Sequence, residues 1–249
     1  LLMLPEPAIL AFSSLVILFA GFVRGFSGFG FSMIVVVSLS VVFIPAEIVP
    51  TALLLEIVAS AWLLPKIWKD INWYSLRWLT AGVLVGTPAG VYALANIPAK
   101  IMQIAIACVI IGLVSLLWRG IRIVEMPTRL MTIVIGVTSG IITGGAAIGG
   151  PPVILYYLSS PTAVEVSRAS LIFYFFSTSV IASILCVSQG LMTSTNIYLT
   201  GIFLAPLILG VALGSRAFVN ADPDSFRKKI MLLLIAMSLM IIGKTTLLN

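Results

Sequence analysis

Arg24-Gly25-Phe26-Ser27-Gly28-Phe29-Gly30 interrupts two short apolar runs, Pro7–Val23 before it and Gly30–Phe43 after it. A second interruption, Thr143-Gly144-Gly145-Ala146-Ala147-Ile148-Gly149-Gly150-Pro151-Pro152, parts Leu130–Ile142 from Pro151–Leu158. The last of these runs reaches only about 12 Å at ~1.5 Å per helical residue. It cannot cross a hydrocarbon core about 30 Å thick. A re-entrant hairpin is the economical reading of both regions, and such backbone is tolerated at membrane depth only when buried in protein or lining a cavity. Two full crossings of the first region would leave the same parity.

The surrounding chain supplies the membrane. Of 249 residues, 61% are hydrophobic and 9% charged, whereas a soluble domain carries about 25% charged residues. Runs long enough to span fall at Ala46–Leu64, Leu76–Ala95, Lys100–Trp118, Thr162–Val187 and Thr195–Val219, with a further one at Phe226–Leu247. Residues 1–249 read as a single membrane domain. Leu1–Val23 has neither a basic leader nor a small-residue cleavage site, so it does not read as a cleavable signal.

The two halves resemble each other. Gly21, Gly25 and Gly30 recur as Gly136, Gly140 and Gly145 at an offset of 115. Glu47 to Leu53 recurs as Glu165 to Leu171 at 118, and Gly86-x-x-x-Gly90 recurs as Gly210-x-x-x-Gly214 at 124. Repeat one covers about residues 7–118 and repeat two about 129–247. Each is one glycine-broken, re-entrant helix hairpin plus three transmembrane helices. Basic residues set the orientation. Lys66, Lys69, Arg77, Arg119, Arg122, Arg129, Arg216, Arg227, Lys228 and Lys229 fall on one face, and Lys100 and Lys244 on the other. The positive-inside rule puts the larger group in the cytoplasm. The first hairpin then starts outside and the second inside, so the expected fold is all-α with two inverted repeats.

Transporters built this way place their site where the breaks meet. Helix N-termini at a break turn N–H groups and positive dipole ends toward a ligand, which favours anions. Glycine lets backbone approach a ligand closely. The candidate substrate residues are Arg24, Ser27, Gly28, Phe29 and Gly30 from the first break, with Thr143, Gly144, Gly145, Gly149, Gly150 and Pro151 from the second. Gly21, Gly25, Gly136, Gly140, Gly86 and Gly210 read instead as small-residue helix packing. Arg24 is a charge in an apolar run and so a functional candidate. Its fork matches sulfonate, sulfite or carboxylate oxygens; the competing reading is an arginine that satisfies carbonyls at the hairpin tip. Arg168 either joins the site or snorkels to the cytoplasmic face. Glu56, near the middle of its span, is the candidate carrier of a coupling proton, a static partner for Arg24 or a neutral buried acid; its mate in the repeat is Tyr174. Glu47 and Glu165 read as caps of their helix dipoles. Tyr156, Tyr157, Phe173 and Phe175 either line the pathway or pack against lipid and core, and packing is the favoured reading.

These glycine motifs, Gly21-x-x-x-Gly25-x-x-Gly28-x-Gly30 and Gly136-x-x-x-Gly140 through Gly149-Gly150-Pro151-Pro152, resemble those of the TauE/SafE family of sulfite and organosulfonate exporters. The resemblance covers nearly the whole chain. It implies export of sulfite, sulfoacetate or a related small anion through the inner membrane, usually of bacteria. The alternatives are a passive anion channel, or a cation or metal transporter of the same fold, though a metal cage is ill served by eight acidic residues. An enzyme would need a catalytic cluster, and the chain has no histidine and no paired carboxylates. No cofactor motif is present, and the second glycine cluster lacks the Lys-Ser/Thr of a P-loop. The net charge of +6 fits the membrane bias rather than nucleic acid. Cys108 and Cys186 read as small core residues. The expected partners are a small anion and the lipid bilayer; a homo-oligomer is left open.

Overall fold

Each interruption ends one helix and begins another. The computed structural model describes residues 6–40, 42–98, 101, 108, 128–159 and 162–219. Its helices are α1 (Pro7–Ser27), α2 (Phe31–Leu39), α3 (Pro45–Ile67, followed by a 3-10 turn at Trp68–Asp70) and α4 (Trp73–Asn96). Then come α5 (Arg129–Ala146), α6 (Gly150–Ser159), α7 (Val164–Ser188) and α8 (Ser194–Val219). No strand occurs among the described residues. The spans expected at Lys100–Trp118 and Phe226–Leu247 lie outside them, apart from residues 101 and 108.

Among the described residues, six helices are long and apolar enough to cross a membrane: α1, α3, α4, α5, α7 and α8. Their outer faces carry Leu15, Leu84, Val85, Leu130 and Ile197, all well exposed, as lipid-facing surfaces do. The long arms at the breaks are longer than the apolar runs suggest. Helix α1 continues past Val23 through Arg24 to Ser27, and α5 runs on past Ile142 to Ala146. The charge and the glycines interrupt the hydropathy but not the helix, because Arg24 is paired internally and the glycines face another helix. The short arms, α2 with 9 residues and α6 with 10, reach only about half the hydrocarbon thickness.

Glycines then decide which helices meet. A Cβ on Gly210 would strike Leu18 O and come within 2.9 Å of Phe22 N; one on Gly214 would strike Phe22 O and come within 2.8 Å of Phe26 N. The order rises along both helices, so α1 and α8 run parallel, backbone against backbone. The second seam is built alike. Gly82 faces Ile133 and Val137, Gly86 faces Val137 and Ile141, and Gly90 faces Ile141 and Gly145, making α4 and α5 parallel. Such close approach is what small residues provide between membrane helices.

The seams also correct the glycine register. Gly86 and Gly210, which are 124 apart, insert at Val137/Ile141 and Leu18/Phe22 respectively. Those partners are 119 apart, not 115, so Gly21 corresponds to Gly140 and Gly25 to Gly144. Glycines spaced by four match themselves one helical turn out of register, which is why the sequence alone gives the shorter offset. The breaks keep the same 119: the left-handed caps are Gly28 (φ 82°) and Ala147 (φ 55°).

Two polar contacts fix helix direction further. Asn196 at the start of α8 donates through Nδ2 to Glu47 O (2.7 Å) and to Thr51 Oγ1 (3.1 Å) at the start of α3. Asn72 N–H, before α4, donates to Ser170 Oγ in the second turn of α7 at 2.9 Å. Thus α1, α3 and α8 begin toward one face, and α4, α5 and α7 toward the other. Glu47 and Glu165 stand in the first turns of α3 and α7, where a carboxylate suits the dipole.

Candidate functional site

Arg24 lies in the last turn of α1, which has Gly28 as its left-handed cap. Its side chain is fully buried and turns inward to α3. There Nη2 pairs with Glu56 Oε1 at 2.8 Å and donates to Ser60 Oγ at 2.6 Å. Nη1 donates to Gly28 O, the carbonyl at the cap. Glu56 and Ser60 present one face because they are four residues apart. Ser32, in the first turn of α2, donates to Glu56 Oε2 at 2.7 Å. One ion pair therefore ties α1, α2 and α3 together at the break. Breaking such a pair by removing one partner costs about 3–5 kcal/mol, because the other charge is left buried and unpaired.

The remaining residues of the first break shape the backbone. Ser27 Oγ lies 2.8 Å from both Val23 O and Phe29 O and accepts from Phe29 N–H at 3.2 Å. Gly30, with φ 90°, is the N-cap of α2, and Phe29 is buried between the two glycines. Arg168 comes from α7. Its Nη2 donates to Gly25 O at 2.5 Å and its Nε to Phe26 O at 3.2 Å. It thus caps the carboxy end of α1, where a cation meets the negative end of the dipole. Sequence leaves Arg168 between site and snorkel; the side chain instead points inward, 7% exposed, with its guanidinium carbon 4.0 Å from the Phe218 ring centroid. Since Glu56 balances Arg24, Arg168 and the start of α2 leave the first break with an excess of positive charge.

The second break is neutral. Ser139 Oγ donates across it to Gly149 O and receives the Tyr174 hydroxyl at 2.6 Å. Thr143 Oγ1 donates to Ser139 O at 2.8 Å. Gly149 leaves no room for a side chain against Thr143 and Ser139. Gly150 opens α6, with Pro151 buried in its first turn. Gly144 and Gly145 do not belong here: both line the seam with α4, Gly144 against Thr87 O and Val91 N, Gly145 against Gly90.

The breaks approach each other through Phe175, near the middle of α7. The Arg24 guanidinium carbon lies 5.0 Å from its ring centroid. A Cβ on Gly150 would sit 3.0 Å from its Cζ. One aromatic ring thus stands between the buried cation and the amino end of α6. In sequence Phe175 reads as packing ahead of pathway lining, and Tyr174 stands opposite Glu56 in the repeat, so the two halves differ in charge there. Ser60 is signalled only by its four-residue spacing from Glu56. Ser32 and Ser139 carry no such signal.

Crossing helices, two glycine-broken arms and a charge cluster buried at the first break describe a polytopic membrane transport protein. The chain belongs to the sulfite exporter TauE/SafE family, whose model matches residues 13–241. It is similar to the probable sulfite/organosulfonate exporter TauE of Cupriavidus necator, with 25% identity over 208 residues, covering 81% of each chain. No solved structure matches. Members of this family are exporters, so the chain is a multi-pass transporter of the bacterial inner membrane and not an enzyme, working on a small anion within lipid.

Proposed function

We propose that this protein exports a small oxyanion, sulfite, sulfoacetate or a related organosulfonate, by a carrier cycle in which two inverted repeats, residues 7–118 and 129–247, open the site to each face in turn. The observation that carries the reading is Arg24. Its guanidinium is wholly buried at the break, against the Phe175 ring that parts it from the start of α6, and its Nε bonds to no partner among the described residues. Arg168 and the amino ends of α2 and α6 add positive potential, and Ser27, Gly28, Phe29, Gly30, Thr143, Gly149, Gly150 and Pro151 form the walls. The helix directions support the inverted arrangement: α1 and α3 begin toward one face and α5 and α7 toward the other, so each broken region leaves on the side where it enters. The Cupriavidus relative, named as a probable exporter of sulfite and organosulfonate, supports the substrate class.

Glu56 gives the carrier a route to proton coupling. An oxyanion that takes over Arg24 leaves Glu56 without its counter-charge, and a proton can replace it. Counterflow in proteoliposomes tests both claims. Internal sulfite or sulfoacetate should drive saturable uptake of labelled sulfite, while sulfate and chloride compete poorly. Glu56→Gln keeps the shape but cannot titrate, so net transport should lose much of its pH dependence while counterflow persists. Unsaturable flux would make the protein a channel, and an unaltered pH profile would leave Glu56 a static partner.

A further inference from the structure

A second cationic cluster lies far from the breaks, where α4 and α5 begin side by side. Arg77 lays its guanidinium carbon 4.4 Å from the Tyr74 ring centroid and 5.3 Å from that of Trp78. Arg129, the first residue of α5, lies 5.6 Å from the Trp78 centroid and donates through Nε to Tyr74 OH at 3.3 Å. Two like charges thus converge on one pair of aromatic rings. Neither makes an ion pair with a carboxylate among the described residues. Both also stand near helix amino ends, which are themselves positive. Here α4 and α5 have no acid in the first turn, unlike α3 and α7, which open with Glu47 and Glu165.

The height of the cluster identifies what neutralises it. Trp68 and Trp73 are exposed on the same side and pack edge-on at 5.1 Å, and exposed tryptophans mark the membrane–water interface. Lys66 and Lys69 lie in the adjoining turn, so this is the basic, cytoplasmic side. Toward the membrane interior, α4 and α5 turn Leu84, Val85, Leu130 and Val134 outward, a surface suited to acyl chains.

We propose that Arg77 and Arg129, framed by Tyr74 and Trp78, bind the phosphate of an anionic phospholipid in the cytoplasmic leaflet, whose acyl chains lie along the α4–α5 face. The lipid supplies the counter-charge that both helix starts lack among the described residues, and it holds the amino end of the α4–α5 seam.

Native mass spectrometry of the purified, delipidated full chain tests this with phosphatidylglycerol and phosphatidylcholine. The native chain should favour phosphatidylglycerol by roughly tenfold or more, the effect expected of two basic groups at a lipid surface. Arg77→Gln with Arg129→Gln should bring the ratio near one, with the melting temperature in detergent unchanged. Millimolar inorganic phosphate should not displace the bound lipid. Equal affinity for the two lipids in the native chain overturns the proposal, whatever the variant does. An undiminished preference in a folded double variant also overturns it. Displacement by free phosphate would replace the lipid with a soluble anion.

Discussion

The two breaks share a backbone plan and differ in chemistry. Each ends a long helix on a left-handed residue, Gly28 or Ala147, and starts a short helix three residues later, at Phe31 or Gly150. At the first, a buried ion pair, Arg24–Glu56, closes the gap. At the second, the neutral chain Tyr174–Ser139–Gly149 does so. Position 174 is the counterpart of 56, so one place in the repeat holds a carboxylate in one half and a phenol in the other. The second break is held by neutral hydrogen bonds. Buried pairs give little net stability over apolar replacements, so on the proposed function the ion pair at the first serves the substrate as well as the backbone.

The largest expected effect sharpens that contrast. Arg24→Ala should destabilise the protein by about 3–5 kcal/mol, because Glu56 is stranded. Arg24→Ala combined with Glu56→Gln should recover most of the melting temperature. It should not recover anion affinity: loss of a charge-assisted contact of about 1.5–3 kcal/mol is a fall of roughly 10- to 150-fold. Native affinity in that double variant would take Arg24 out of the site and leave the two breaks equivalent.

A smaller effect is expected at the seams. Gly214→Ala drives a methyl into Phe22 O and should cost about 1–3 kcal/mol, as overpacking does. Gly201→Ala on the same helix meets nothing within 4 Å and should be neutral or slightly stabilising in thermal melts. Equal melting temperatures for the two variants would mean that the α1–α8 seam yields more readily than its backbone contact implies.

The smallest effect tests the neutral break. Tyr174→Phe removes one hydrogen bond to Ser139 and should cost about 1 kcal/mol, with anion affinity changed less than threefold. A loss of affinity as large as that of the Arg24 variant would show that the second break also carries substrate, and the contrast between the breaks would fail.

Much of this was legible in one dimension. Span positions follow from hydropathy, and the helices at 45–67 and 73–96 extend the expected runs by only a few residues. Arg24 and Glu56 stood out because charge is scarce in apolar sequence. What sequence could not give is who faces whom. Arg168 reaches carbonyls more than 140 positions away, and nothing local distinguishes an arginine that caps a distant helix from one that snorkels. The two glycine roles also look alike in sequence: Gly144 packs against α4 while Gly149, five residues on, closes the break. A glycine shows only that room is needed, not whether a helix or a ligand fills it.

The seams have a consequence for how the protein is made. Gly21 and Gly25 leave the ribosome well before their cover: Leu207, Gly210, Val211 and Ser215 of α8 follow about 190 residues later, which at ~5–20 residues per second is on the order of 10–40 s. Glu56 follows Arg24 within a few seconds at the same pace. The charge in α1 therefore finds its partner almost at once, while its bare backbone stripe must wait in the bilayer until α8 is made. During biogenesis the vulnerable surface of α1 is thus its glycine face rather than its arginine, and an insertase or holding factor that serves this protein would have to shield a strip without side chains.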